Sequence, residues 1–323
     1  MTRSIVRMMG QILFVLLGIS ILVFLIFFAT PGADPAARIA GKGAAPEVLA
    51  AVRLSFGLNK PLYVQYLLMM KKIFITGDLT SFVNRGWYVI PAIMQAVPVT
   101  LSLVFGSAIL WVAMSVGSAV LAVAYRNTAV DRILMAIGLV GLSMPVFWLG
   151  SVMNLLSQSR FHDTFLFSWV PPLGYTPLTQ SPLGWAKGLL IPWFTLAFVY
   201  FGFYARVLRA DIIAALQQDF VRTARAKGLS ENRILLRHAL RTSLTNFVTI
   251  FGLDFGALVG GSALLAEVVF NLQGVGYLTN QALHSLDLPV IMATVLYSTF
   301  FVVLANGLVN ILYLVIDPRV RAS

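Results

Sequence analysis

Six stretches of this chain are apolar enough, for long enough, to cross a lipid bilayer, and nothing else constrains its fold as much. A spanning helix needs about 20 predominantly apolar residues, and residues 8–30, 98–125, 133–156, 189–205, 244–269 and 289–316 meet that need. The chain is 59% hydrophobic and only 11% charged, against roughly 45–50% and 25% in water-soluble domains. A charge at the bilayer centre costs ~2.5–3.5 kcal/mol on insertion scales, so sparse charge is what lipid selects. The expected fold class is therefore all-α, a polytopic membrane protein with six transmembrane helices. The apolar core of the first block exceeds the ~7–15 residues of a secretory signal, and Pro31 stands where a small-residue cleavage site would fall. Residues 1–30 thus read as a retained anchor helix.

The net charge of +11 raises the question of nucleic acid. The basic residues flank the apolar blocks, however, as the enrichment of Lys and Arg in cytoplasmic loops requires, and no nucleic-acid partner is expected. With the amino terminus inside, the inner segments hold fourteen of the 23 Lys and Arg residues. Eight of these lie between Arg206 and Arg241, and only Arg160 and Lys187 fall in the two shorter outer loops. Both termini are expected to be cytoplasmic. Residues 31–96 then form an extracytoplasmic segment, with 61–76 suited to an interfacial helix or to part of a lid.

The one long polar inner segment is 209–241. It reads as two short helices broken at Gly228, a residue able to take the left-handed backbone that ends a helix. Ser230 stands at the cap of the next helix, with Leu229 and Ile234 at staple spacing and Glu231 in the first turn, where the helix dipole favours an anion. Ala224, Ala226 and Gly228 leave the end of the first helix nearly bare, suited to a groove on another protein. Arg233, Arg237 and Arg241 form a basic stripe, which also fits a loop resting on anionic lipid headgroups.

Within the apolar blocks, Gly252, Gly256 and Gly260 make a small-residue stripe that lets helices approach closely. Asp254 and Glu267 are carboxylates at membrane depth, where such groups face a partner or a watery cavity. Asp254 is expected to line a cavity or to pair with a neighbouring helix, and Glu267 to bond structurally near the outer gate. Pro145 beside Ser143, after Gly138 and Gly141, predicts a kink in the third span, static or hinging. No chemistry of the chain's own is expected. It has no cysteine, no Gly-x4-Gly-Lys phosphate loop (Gly41-Lys42-Gly43 is not one) and no Gly-x-Ser-x-Gly elbow. His162, His238 and His284 show no metal-ligand spacing. No cofactor is expected, and the chain reads as a non-enzyme.

Specific motifs stand on this frame. They include Tyr204-Ala205-Arg206, the run Asp219-Phe220-Val221-Arg222-Thr223-Ala224-Arg225-Ala226-Lys227-Gly228-Leu229-Ser230, and Leu235-Leu236-Arg237-His238-Ala239-Leu240-Arg241. Others are Pro31-Gly32 with Asp34-Pro35, Gly57-Leu58-Asn59-Lys60-Pro61-Leu62, Val64-Gln65-Tyr66, Gly77-Asp78-Leu79, Pro98-Val99-Thr100-Leu101 and Ser143-x-Pro145-x-Phe147-Trp148-Leu149-Gly150. Gly260-Gly261, Glu267-x-Val269-Phe270, Gly274-x-Gly276 and the closing Asp317-Pro318-Arg319 complete the set. In this order the chain resembles the dipeptide/oligopeptide/nickel permease family of ABC importers, as the first of its two permease subunits. It departs from that family's pattern at Thr245-Asn246 and Leu272-Gln273-Gly274, and keeps only Thr223-Ala224 and Gly228 of the Glu-Ala-Ala signature.

The resemblance implies a type I ABC importer permease fold, with residues 97–318 as the permease core, in a prokaryotic plasma (inner) membrane. It implies an ATP-driven importer of di- or oligopeptides, or of nickel complexes. The partners implied are a second homologous permease subunit, two cytoplasmic ATP-binding subunits that hydrolyse the ATP, an extracytoplasmic substrate-binding protein, the peptide substrate and membrane lipid. Ala224, Arg225, Ala226, Lys227 and Gly228 would be the coupling helix seated in an ATPase groove. Ser143, Pro145, Asp254 and Glu267 are the pathway or gate candidates. A stand-alone channel or secondary carrier is the competing reading, but the sequence shows no internal repeat of halves. A third is a non-transporting assembly or sensor subunit.

Overall fold

A computed structural model describes residues 2–28, 35–40, 43–81, 83–84, 86 and 87–316. The motifs Pro31-Gly32 with Asp34 and Asp317-Pro318-Arg319, like Lys42, lie outside the described residues. Among those described, the chain is helical with no strand, apart from one isolated antiparallel bridge between Thr80 and Tyr88.

The helices run in chain order α1 (Thr2–Phe28), α2 (Pro35–Ala40), α3 (Pro46–Phe56), α4 (Leu62–Lys71), α5 (Val89–Ala124), α6 (Ala129–Ser143) and α7 (Val146–Leu155). There follow α8 (Pro182–Ala215), α9 (Asp219–Ala226), α10 (Glu231–Arg233), α11 (Leu240–Ala257), α12 (Leu264–Val269), α13 (Val275–Ser285) and α14 (Leu288–Ile316). Wider π-turns prolong α4, α7, α10 and α11, the last over Leu258–Ser262.

Five helical stretches are long and apolar enough to cross a membrane, and six if the bent pair α6–α7 counts as one span. All six expected blocks are thus present, although two helices outrun theirs. α5 has 36 residues with Pro98 inside it rather than at its start. At 1.5 Å per residue it is ~54 Å long against a ~30 Å hydrocarbon core, so it continues well beyond the bilayer. α8 has 34 residues and begins where Pro182 occupies the first turn and the Ser181 hydroxyl accepts the Gly184 N–H at 3.1 Å. Pro suits that position because the first-turn N–H groups have no helical partner.

The third span corrects the expectation of a kinked continuous helix. Pro145 breaks the span outright, and α6 and α7 diverge by 101°. Met144 is extended (φ −92°, ψ 126°), the conformation that a following proline ring imposes. The Ser143 hydroxyl donates to the Leu139 carbonyl at 2.9 Å, so it satisfies an acceptor at the end of α6 rather than bridging a kink.

By contacts the chain divides into two compact units that interleave in sequence. One comprises residues 1–101, 256–268 and 272–307; the other comprises 102–255, 269–271 and 308–323. In the first, the described residues between 35 and 96 form α2, α3, α4 and their connections around an apolar core. Phe24, Val52, Met69, Ile73, Val89, Ile93, Val290 and Ile291 belong to that core. The Tyr66 hydroxyl pairs with Ser20 Oγ at 2.7 Å. Buried Gln65 donates to the Leu58 and Lys60 carbonyls at 3.2 and 2.8 Å. The stretch 61–76, expected as an interfacial helix or part of a lid, thus packs Tyr66, Met69 and Ile73 into this core.

In the second unit, α6 lies against α8 with no room between the backbones. A Cβ on Gly202 would meet the Gly138 carbonyl oxygen at 1.9 Å, and one on Gly141 would meet the Phe198 carbonyl oxygen at 2.5 Å. Small residues that admit close helix approach are how helices associate where lipid offers no hydrophobic drive. Beside them, Trp111 sits among Tyr200, Tyr204 and Phe251 with ring centroids 4.5–4.9 Å apart.

Candidate functional site: an exposed elbow and two capped carboxylates

After α8 ends, the chain turns through Gln218 into the eight-residue α9. Gly228 adopts φ +77°. The Leu229 N–H reaches the Ala224 carbonyl at 3.3 Å and the Gly228 N–H reaches the Arg225 carbonyl at 2.9 Å. These two bonds and the left-handed residue between them form a Schellman C-cap, as Gly228 predicted. Val221, Ala224 and Ile234 are buried together, with Leu216 and Leu229 against them. The expected staple of Leu229 and Ile234 is therefore present. The Ser230 cap is present by position only: its side chain makes no cap hydrogen bond, and its carbonyl accepts the Ile234 N–H at 3.0 Å. Glu231 does more than complement a dipole, because it takes a bidentate grip from Arg225 at 2.7 and 3.0 Å.

The five elbow residues do not share one role. Ala224 is 6% exposed and faces the miniature core. Arg225, Ala226, Lys227 and Gly228 are exposed, as are Arg222 and Thr223. The bare surface is thus the turn 225–228, with Ala224 as its floor. Arg233, Arg237 and Arg241 are all exposed.

At the end of α8 nearest the elbow, Arg209 grips Asp131 of α6 with two hydrogen bonds, Nε to Oδ1 at 2.8 Å and Nη2 to Oδ2 at 2.6 Å. Asp131 Oδ2 also accepts the Asn127 N–H at 3.2 Å. The Asp131 side chain is 7% exposed, so this pair is largely withdrawn from water, where charge-assisted bidentate bonds are strongest. Asp211 accepts from Asn246 on α11 at 2.9 Å.

Of the two membrane carboxylates, Asp254 accepts the Tyr204 hydroxyl of α8 at 2.6 Å. That bond pairs α11 with α8, and Asp254 is half-buried. Glu267 is fully buried. It accepts the Thr100 hydroxyl at 2.6 Å and the Tyr277 N–H at 2.8 Å, while Thr100 Oγ1 accepts the Val275 N–H at 2.9 Å. Val275 and Tyr277 are the first and third residues of α13, whose N–H groups have no partner within that helix. Glu267 and Thr100 supply those partners, and a carboxylate is well placed at the positive end of a helix.

The same arrangement accounts for Gly274-x-Gly276. A Cβ on Gly274 would lie 2.4 Å from the Glu267 carboxyl, and one on Gly276 would lie 2.6 Å from the Leu264 Cα. Gly256 and Gly260 likewise admit α14, their Cβ positions falling 2.5 Å from Ala305 Cβ and 2.2 Å from Val302 Cγ2. This is the close-packing role expected of the stripe. Among the described residues, no group of three His, Cys, Asp or Glu side chains is placed to hold a metal ion.

Residues 112–322 match the family described as binding-protein-dependent transport system inner membrane component. Residues 1–104 match the N-terminal region of such membrane components. The chain is 38% identical over 321 residues, 99% of each chain, to a Brucella abortus (strain 2308) protein named as a peptide transport system permease. It is 35% identical to the oligopeptide transport system permease protein AppB of Bacillus subtilis (strain 168), over 95% of each chain. To the dipeptide transport system permease protein DppB of Alkalihalophilus pseudofirmus it is 32% identical, over 95% of this chain and 96% of the relative. Together the two matches take in nearly the whole chain, and this chain belongs to the binding-protein-dependent transport system inner membrane component family.

Proposed function

We propose that this chain is one of two permease subunits of an ATP-driven importer of di- or oligopeptides, with both termini and the 209–241 loop on the cytoplasmic side. The observation that carries the reading is the elbow. Its helix end is exposed from Arg225 to Gly228, with only Ala226 and Gly228 bare, is shaped by its own small core, and is a polar stretch between two spanning helices. Such a knuckle suits a groove on a cytoplasmic ATPase, and the permease names carried by the relatives agree with that use.

In this reading, closure of two ATPases displaces the elbow. α8 and α11, which flank it, pass the displacement to the membrane helices. The Arg209–Asp131 grip makes α6 and α8 move together, so the coupling has a physical carrier between two states. A second permease completes the pathway, and a binding protein delivers peptide from the opposite side to the elbow.

The test uses the assembled complex in liposomes. Ala226→Trp fills the exposed turn without entering the miniature core. Insertion and assembly with the second permease are expected to persist, while stimulation of ATPase activity by the peptide-loaded binding protein disappears. Normal stimulation and normal peptide uptake by this variant reject the docking role. Peptide uptake by the chain alone, with no ATPase present, would instead make it a carrier.

A further inference from the structure

A cavity of about 780 Å³ opens within the first compact unit, inside the ~300–1,000 Å³ range of pockets that enclose small ligands. Its wall includes the π-turn Leu258–Ser262, where Gly261 leaves the helical path at φ +125°. Backbone of this kind at membrane depth is tolerated only inside protein or against water, and here it faces a cavity. Five hydroxyl residues line the same space: Thr100, already engaged by Glu267 and the Val275 N–H, and Ser262, Thr279, Ser298 and Thr299. Thr279 and Thr299 donate to the Val275 and Val295 carbonyls at 2.7 and 2.8 Å, which leaves their oxygens free to accept. Among the described residues, no hydrogen bond within the chain engages the Ser262 or Ser298 hydroxyl. Ser298 Oγ stands 3.4 Å from where a Cβ on Gly261 would be. No Asp, Glu, Lys, Arg or His lines the cavity, and Glu267 is fully occupied by Thr100 and α13.

We propose that this cavity is a peptide-binding station within the chain. It engages the amide main chain of the substrate through Ser298, Thr279 and the opened backbone at Gly261, and is indifferent to the charge of the substrate's side chains. The assignment rests on the peptide-import reading and adds to it a place and a selectivity. Peptides share N–H and C=O groups and differ in side chains. A wall of hydroxyls and backbone groups matches what they share, because each hydroxyl can donate and accept. A fixed charge in the wall would sort them.

The chain has no cysteine, so Ser298→Cys and Thr279→Cys each introduce a single thiol into this chain, assembled with partner subunits from which cysteine has been removed. In lipid nanodiscs, a cationic and an anionic water-soluble thiosulfonate reagent are expected to modify both thiols at similar rates. An Ile109→Cys control on an exposed apolar face of α5 should react with neither. Trapping the complex with binding protein and a saturating tripeptide should slow modification about tenfold, the factor for occupancy at ten times Kd. Ser298→Asp should favour uptake of basic over acidic tripeptides by about tenfold, as a low-dielectric ion pair requires, where the native chain treats them alike.

Thiols that resist both reagents would mean that lipid or a partner helix fills the cavity, which overturns the proposal. Modification that peptide does not slow, in a complex that still imports peptide, overturns the station and leaves the import reading standing. A native complex that imports no peptide overturns both.

Discussion

Replacing Glu267 with Gln preserves the side chain's volume and removes its charge, and so separates the capping of α13 from mere packing. Two donors converge on the carboxylate, the Thr100 hydroxyl at 2.6 Å and the Tyr277 N–H at 2.8 Å. An amide offers one oxygen and one NH2 in their place. Thr100 can accept from that NH2 through its second lone pair, beside the Val275 N–H at 2.9 Å, but its own hydroxyl hydrogen then loses the carboxylate as acceptor. One buried donor is therefore left unpaired, at a cost of ~1–3 kcal/mol. Hydrogen bonds between membrane helices average only ~0.6 kcal/mol in measured cycles, up to ~1.7, and a fully buried charged acceptor belongs at or above the top of that range. At ~2–4 °C per kcal/mol for chains somewhat shorter than this one, a cost of ~1.7–3 kcal/mol should make Glu267→Gln melt about 3–12 °C lower in detergent.

Thr100→Val should cost a similar amount, since it strands the Val275 N–H and half of the carboxylate. The double variant should recover ~1 kcal/mol of the sum, because the two residues act as one unit. Strict additivity would refute the capping account. So would a Gly274→Ala protein of native stability, since its Cβ would fall 2.4 Å from the carboxyl.

Gly202→Val should prevent α6 from seating on α8, because even a Cβ there would lie 1.9 Å from the Gly138 carbonyl oxygen; the expected outcome is loss of folded protein in fluorescence-detected size exclusion, whereas exposed Gly117→Val is tolerated. Arg209→Gln should leave Asp131 with an unpaired charge and lower both stability and the peptide-stimulated ATPase rate, and Asp131→Asn in the same chain should restore stability without restoring stimulation. Asp287 is buried beside the Ser81 hydroxyl, which donates to it, and burial raises its pKa above the ordinary carboxylate value despite that bond. A raised acid favours the folded state when protonated, so its ionisation should reduce stability as pH climbs from ~4 through the raised value, and melting curves of Asp287→Asn should lack that decline. Gly228→Ala, at φ +77°, should cost ~1–2 kcal/mol for the left-handed conformation, read as a lower melting temperature of the assembled complex.

Apolar length carried most of the fold, since five of the six blocks meet a helix fit to span and the other falls on the bent pair α6–α7. It could not place helix ends: Pro98, the first residue of its block, lies inside α5, and Pro182, seven residues before the block at 189, starts α8. The elbow was legible because its signals are local: a glycine at a helix end, a staple pair, an acid in the next first turn. Long-range pairs were not. Asp131 and Arg209 are 78 residues apart, and nothing in the neighbourhood of either names the other. Gly202 likewise has no sequence mark beyond being small. Pro145 reads as a kink because the apolar block continues across it, whereas the turn of 101° depends on what α6 and α7 pack against, which apolar length does not encode. Glu267 had a legible need for a partner but no legible partner, since Thr100 precedes it by 167 residues.

The inward position of Ala224 changes what a failed elbow means. Read along the sequence, Ala224 and Ala226 are equivalent small residues two apart on a helix end. Two residues on an α-helix are separated by about 200° of rotation, so one of them must face away from the surface the other presents. Ala224 faces Val221 and Ile234, and a charged side chain there would be buried against an apolar cluster, dissolving the elbow before any partner met it. Loss of coupling in an Ala224 variant therefore reports on the floor of the turn, while loss in an Ala226 variant reports on its surface. The two alanines separate building the knuckle from using it, and any transmission of force through this loop requires both.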